Sequence, residues 1–124
     1  MKPRITLLTL GVDDLEKAVH FYRDGLGLKT DGIVGQEFEY GAVAFFDLEN
    51  GLKLALWPRK SIAHDSGLER SPTSTTEFTI GHNVSSKEEV DVIMKQATAA
   101  GATLLNQQKK LSGVVTQVTY QLYF

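Results

Sequence analysis

The sequence predicts an α+β fold built from two like units, and three observations carry that expectation. The first is Gly11 to Leu28, GVDDLEKAVHFYRDGLGL, which reads as the end of a strand, a helix and a glycine stop. Asp13 stands where a cap is needed, with Glu16 three residues later at capping-box spacing. Leu15, Ala18, Val19 and Tyr22 share one helical face, and Gly25 and Gly27 supply the stop. The second is the return of this pattern at Val84-Ser85-Ser86, with Ser85 and Glu88 at the same spacing. There Val90, Ile93, Met94 and Ala97 form the apolar face and Gly101 the stop, so the chain reads as an internal repeat. The third is a set of apolar runs of strand length, separated by turn residues, after the first helix.

Taken in order, Ile5–Gly11 is expected as the first strand and Asp14–Asp24 as the first helix. Ile33–Tyr40 and Ala42–Leu48 follow as strands able to pair across Tyr40-Gly41. Asn50-Gly51 is a hairpin signal, and Leu52–Trp57 is a fourth strand stopped by Pro58. Arg59–Thr76 has no clear period and reads as a connector or binding loop. Glu77–Val84 is then a strand, Ser86–Ala100 a helix, and Ala102–Asn106 and Gly113–Phe124 two further strands. This gives a βαβββ module over residues 1–58, a connector over 59–76 and an incomplete βαββ module over 77–124, all within one structural domain.

Composition narrows the function classes. The length of 124 residues suits one domain, or two half-domains sharing a core, and 42% hydrophobic residues suits a globular chain. A net charge of -2, with no basic run interleaved with aromatics, gives no nucleic-acid signal. The absence of cysteine excludes a disulfide framework, a thiol nucleophile and a thiolate metal site. No apolar run has the length of a membrane span, and MKPRITLLTL lacks a signal-peptide core. The expectation is a cytoplasmic protein with neither nucleic-acid nor membrane partners.

The βαβββ order, with Asp14-Leu15, Phe21-Tyr22 and Gly25-Leu26-Gly27-Leu28, resembles the vicinal oxygen chelate superfamily. That group includes glyoxalase I, bleomycin-resistance proteins and extradiol dioxygenases. The resemblance covers residues 4 to about 110, and Gly81-His82-Asn83-Val84 with the helix after it resembles an uncharacterised bacterial branch. It implies two βαβββ modules forming a half-open barrel whose concave face holds the ligand. Catalytic members place a divalent metal there, with one ligand from each of strands one, four, five and eight. Carried over by position, those ligands fall on Leu7, at or beside Ala55, and on Thr79, and none is a His, Glu or Gln. Such a metal needs nitrogen or carboxylate donors, so the expectation is a protein with no metal and no cofactor.

The resemblance also implies that the chain should continue after Lys110 with FWGGYSGY and a last strand. It reads LSGVVTQVTYQLYF instead. Taking the third base of each codon with the first two of the next permits FWGGYSGY across Leu111 to Thr119 without a gap. A shifted reading frame near codon 110 is therefore expected, leaving the second module without its last strand. An unpaired strand edge would favour pairing with a second copy, as a homodimer.

Strand alternation selects the pocket residues. Leu7, Thr9, Ala55, Trp57 and Thr79 should face the concave side, joined by Phe45 or Phe46 and by Tyr40. The ligand-binding set is thus Leu7, Thr9, Phe45, Ala55, Trp57 and Thr79, a mostly apolar cup with an aromatic wall. His20 reads as a surface or half-buried structural residue and His82 as a structural histidine on the helix side of its sheet. His64, beside Asp65, reads as an exposed loop residue within reach of a pocket. Asp13-Asp14 and Glu88-Glu89 are explained by their places at helix starts, and no G-x-S-x-G motif is present. The leading expectation is a protein that binds and sequesters a small apolar or aromatic ligand without metal. The alternatives are a metal-dependent lyase or dioxygenase with displaced ligands, and a structurally incomplete product without activity.

Overall fold

Two strands far apart in the chain, Leu7–Val12 (β1) and Lys53–Pro58 (β4), lie side by side and parallel in the computed structural model. The structure describes residues 1–74, 77–103 and 117–120. Between β1 and β4 run a helix, Leu15–Val19 (α1), and the strands Thr30–Val34 (β2) and Val43–Asp47 (β3). The sheet order is β1-β4-β3-β2, with β3 antiparallel to both its neighbours. This is a βαβββ unit with an open, four-stranded sheet, and the fold is α+β. The chain divides into two compact units, the first over Met1–Ser71 and the second beginning at Pro72. In the second, Ile80–Asn83 (β5) pairs antiparallel with Gln117–Tyr120 (β6), and Lys87–Ala99 forms a helix.

The first unit buries one face of its sheet. Ala44 pairs with Leu56 and Phe46 with Leu54, and all four are buried beneath Leu15, Ala18, Val19 and Tyr22 of the first helix. The Tyr22 and Phe46 rings meet at 5.9 Å, and Phe21 stands edge-on to Tyr22 at 5.1 Å. After Val19 the helix widens into a π turn, His20–Gly25, in which Leu26 N–H donates to the Phe21 carbonyl at 2.9 Å. The expected apolar face is therefore the one that packs. His20 is exposed and bonds Asp24 at 2.8 Å, and His82 is exposed on β5.

Several boundaries differ from expectation, for physical reasons. The first helix is capped by Asp14, which accepts from Lys17 N–H at 3.0 Å. Asp13 is drawn instead to Arg59, 3.1 Å away, a partner no local spacing discloses. The Lys87–Ala99 helix is likewise capped one residue later than expected. Ser86 accepts from Glu89 N–H at 3.2 Å, and Glu89 accepts from Ser85 N–H at 3.4 Å. The strand expected over Ile33–Tyr40 ends at Val34, because Gly35 and Gly41 approach each other and pinch off a loop. A Cβ on either glycine would run into the carbonyl oxygen of the other.

The largest difference lies in the expected connector. Arg59–Ser66 is a helix (α2) that belongs to the first unit. Pro58 stands at its cap position and Gly67 ends it with φ 70°. The strand expected over Ala102–Asn106, and most of Gly113–Phe124, lie outside the described residues. Among the described residues no helix is long and apolar enough to cross a membrane.

Burial of Tyr22 pushes its phenol well above the usual 10.0. Its contribution to stability is full below about pH 10 and is lost as pH rises further, because the unfolded state then releases a proton that the folded state keeps. Urea unfolding between about pH 9 and pH 11 should show stability falling in the wild type, by at most about 1.4 kcal/mol per pH unit from this group. In Tyr22→Phe the fall should be shallower. Parallel curves would mean that the phenol is not buried.

Candidate functional site

The second face of the first unit's sheet carries no α1 side chain, and the expected pocket residues lie on it. Thr9 pairs with Ala55, and Ala55 with Phe45, so these three form one row across β1, β4 and β3. Leu7, Lys53 and Asp47 form the row on one side, and Gly11 and Trp57 pair on the other. Registered partners point to the same face of a sheet, so Leu7, Thr9, Phe45, Ala55 and Trp57 share it. Leu7 is 47% exposed and Phe45 40%, large values for side chains of this type. Ala55 is buried, small between Thr9 and Phe45. The choice between Phe45 and Phe46 is settled by register: Phe46 is fully buried under the helix.

The face is graded along the strands. At one end Lys53 and Asp47 form an exposed ion pair at 2.5 Å, worth little in stability but polar in character. The middle offers the Thr9 hydroxyl beside the Phe45 ring. At the other end half-buried Trp57 is fixed by its indole N–H, which donates to the Tyr40 carbonyl at 3.2 Å. The Tyr40 ring in turn stacks on His64 at 4.0 Å with 11° between planes. His64 thus stands on α2 against an aromatic ring, where the sequence suggested an exposed loop residue. The signal that could have found α2 is the bracket of Pro58 and Gly67 around RKSIAHDS.

Helix α2 is seated by a gap in β1. A Cβ on Gly11 would come within 2.9 Å of Arg59 Cγ and 3.2 Å of Ile62 Cδ1. Arg59 also donates to Asp13 at 3.1 Å and to the Ser71 carbonyl. Thr79 belongs to the second unit, exposed one residue before β5, so the structure does not bring it together with the other five.

The positions that the resemblance gives to a metal do not fit one. Leu7 and Ala55 carry only hydrocarbon and Thr79 only a hydroxyl, against the nitrogen or carboxylate donors such an ion takes. Among the described residues no group of three or more His, Asp or Glu side chains is placed to hold a metal. The face can hold a flat apolar body by ring contact and one hydrogen bond. It has no evident nucleophile and base in contact.

Gly11→Val should destabilise the protein by about 1–3 kcal/mol through overpacking against Arg59 and Ile62. Equilibrium urea unfolding measures this, and a neutral result would show that α2 does not rest on β1.

A family model described as Glyoxalase/Bleomycin resistance protein/Dioxygenase superfamily matches residues 4–110. The chain is 30% identical to a glyoxalase-related enzyme from Fulvimarina pelagi, over 83% of this chain and 68% of that one, with a TM-score of 0.63. It is 26% identical to a glyoxalase/bleomycin resistance protein/dioxygenase from Nocardioides, over 90% and 71% of the two chains, with a TM-score of 0.66. A fosfomycin resistance protein, FosX from Listeria monocytogenes, solved with Mn(II) and 1S,2S-dihydroxypropylphosphonic acid, shares the fold at 21% identity. It matches over 90% and 75% of the two chains with a TM-score of 0.60. A comparison with curated proteins found no match.

Proposed function

The chain belongs to the Glyoxalase/Bleomycin resistance protein/Dioxygenase superfamily, and on that premise we propose that it binds a small apolar or aromatic molecule on the open sheet face, without a resident metal. The observation that carries this reading is the row Thr9–Ala55–Phe45, flanked by Leu7 and Trp57 on an exposed face. An aromatic ligand laid on this row would contact Phe45 and Trp57 and accept from the Thr9 hydroxyl. Lys53 and Asp47 would meet its polar end. The protein would act by holding its ligand, as a sequestering member of the superfamily does, and we propose a cytoplasmic homodimer as its form. In the first unit's sheet β1 and β2 are the edge strands, which suits association by strand pairing.

A second reading is favoured by the identity to a glyoxalase-related enzyme: a metal-dependent lyase or dioxygenase with ligands at other positions. Metal content after dialysis against trace Zn, Ni, Mn and Fe separates the two. About one tightly held ion per chain would establish the second reading. A third proposal concerns the C-terminus. The family match ends at residue 110, which supports a change of reading frame after Lys110. The coding DNA should carry third bases that spell FWGGYSGY in the shifted frame across Leu111 to Thr119, and incompatible bases would sink the idea.

Trp57 is the single tryptophan, so its fluorescence reports on the face directly. Titration with 4-nitroanisole should quench it saturably, equally with and without EDTA, and about tenfold more weakly in Phe45→Ala. Quenching that rises linearly without saturation would overturn the sequestration reading.

A further inference from the structure

The first unit holds a second concavity away from the proposed ligand face. The N-terminus of α1, the start of α2 and the pinched loop between Gly35 and Gly41 enclose a cleft of about 500 Å³. That volume lies within the range of small-molecule sites. None of the residues proposed for the sheet face lines it.

Its lining is amphipathic with an acidic bias. Asp13, Asp14 and Glu16 face one ammonium group, Lys60. Two of the carboxylates are already committed, Asp13 to Arg59 at 3.1 Å and Asp14 to Lys17 N–H at 3.0 Å. Glu16 makes no hydrogen bond or salt bridge among the described residues. Phe38, also on the lining, is 69% exposed, a costly position for a phenyl ring with nothing against it.

The independent observation is Ser61. It lines the cleft yet is only 1% exposed, and its hydroxyl has no hydrogen-bond partner among the described residues. Buried hydroxyls are almost always partnered, because leaving water without a replacement bond is unfavourable. The cleft therefore offers three things at once: a buried hydroxyl, a free carboxylate and an uncovered ring. A metal ion would use none of the ring and needs more donors than Glu16 supplies. An anion would meet three carboxylates.

We infer that the cleft is a binding site for a small planar organic cation, whose N–H groups donate to the Ser61 hydroxyl and the Glu16 carboxylate while its body lies on Phe38. A planar cation combines hydrogen-bond donation with attraction to an aromatic face.

The test uses benzamidine as the probe, with benzoate as its anionic counterpart, in a chemical-shift titration of the whole protein. Benzamidine should bind saturably, at least about tenfold more tightly than benzoate, with shifts at Glu16, Phe38 and Ser61. Phe38→Ala and Glu16→Gln, both at exposed positions, should each weaken it about tenfold. Ser61→Ala should weaken it too, whereas a hydroxyl partnered only by water would leave affinity unchanged and overturn its role. Equal affinity for benzoate, or no change in the first two variants, would overturn the site. Shifts at Thr9, Phe45 and Ala55 with loss in Phe45→Ala would also overturn it, by placing the probe on the sheet face. These outcomes stand apart from those of the fluorescence titration, whose probe is uncharged.

Discussion

The parallel pairing of β1 with β4 is the constraint on which the first unit depends. Parallel neighbours need a long crossover between them, and here that crossover contains α1, β2 and β3. Because the two strands run the same way, the chain leaves both at the same end of the sheet, into α1 after β1 and directly into α2 after β4. The acidic start of α1 therefore lies beside Arg59 at the start of α2, and the Asp13–Arg59 bond closes the junction. The same pairing aligns Leu7, Thr9 and Gly11 with Lys53, Ala55 and Trp57. A slip of one residue would turn Leu54 and Leu56 to the open face and move Trp57 into the core. Both concavities follow from this one register.

Much of the core was legible because its signals are local. The spacing of Leu15, Ala18, Val19 and Tyr22 names the buried face of the first helix, and alternation along β1 and β4 names which residues oppose it. What was not legible depends on contacts across the chain. Alternation alone left Phe45 and Phe46 open, since nothing in Ala42–Leu48 says which face meets the helix. Helix α2 escaped because RKSIAHDS has almost no apolar stripe. It is held by Gly11, by Asp13 and by the Ser71 carbonyl, none of which is a neighbour in sequence. The one-residue shift of both helix caps has a similar origin at Asp13, where a distant arginine competes for the carboxylate.

The candidate site shows the same division. Five of the expected ligand-face residues fall on one exposed surface because period-two alternation is a strict geometric rule. Thr79 rests on analogy between the two halves, and it belongs to a separate unit. The cleft beside α1 left no trace in the sequence reading. Asp13, Asp14 and Glu16 are explained individually as helix-start residues, and only the folded chain sets Phe38, Lys60 and Ser61 around them. Superfamily membership fixes the scaffold, whereas the chemistry rests on side chains that differ from member to member.

The neck formed by Gly35 and Gly41 separates what the loop is from what it carries. Each glycine leaves room for the other's carbonyl, so a side chain added at either would force the two strands apart. Phe38 N–H donates to the Gly35 carbonyl and Gly41 N–H to the Phe38 carbonyl, both at 3.1 Å, so the loop holds its form through backbone alone. The side chains of Gln36, Glu37, Phe38 and Glu39 take no part in those bonds and are all exposed. The loop is thus an interchangeable cassette on a fixed mount. Its tip can be rewritten to suit a new ligand while the sheet beneath registers no change.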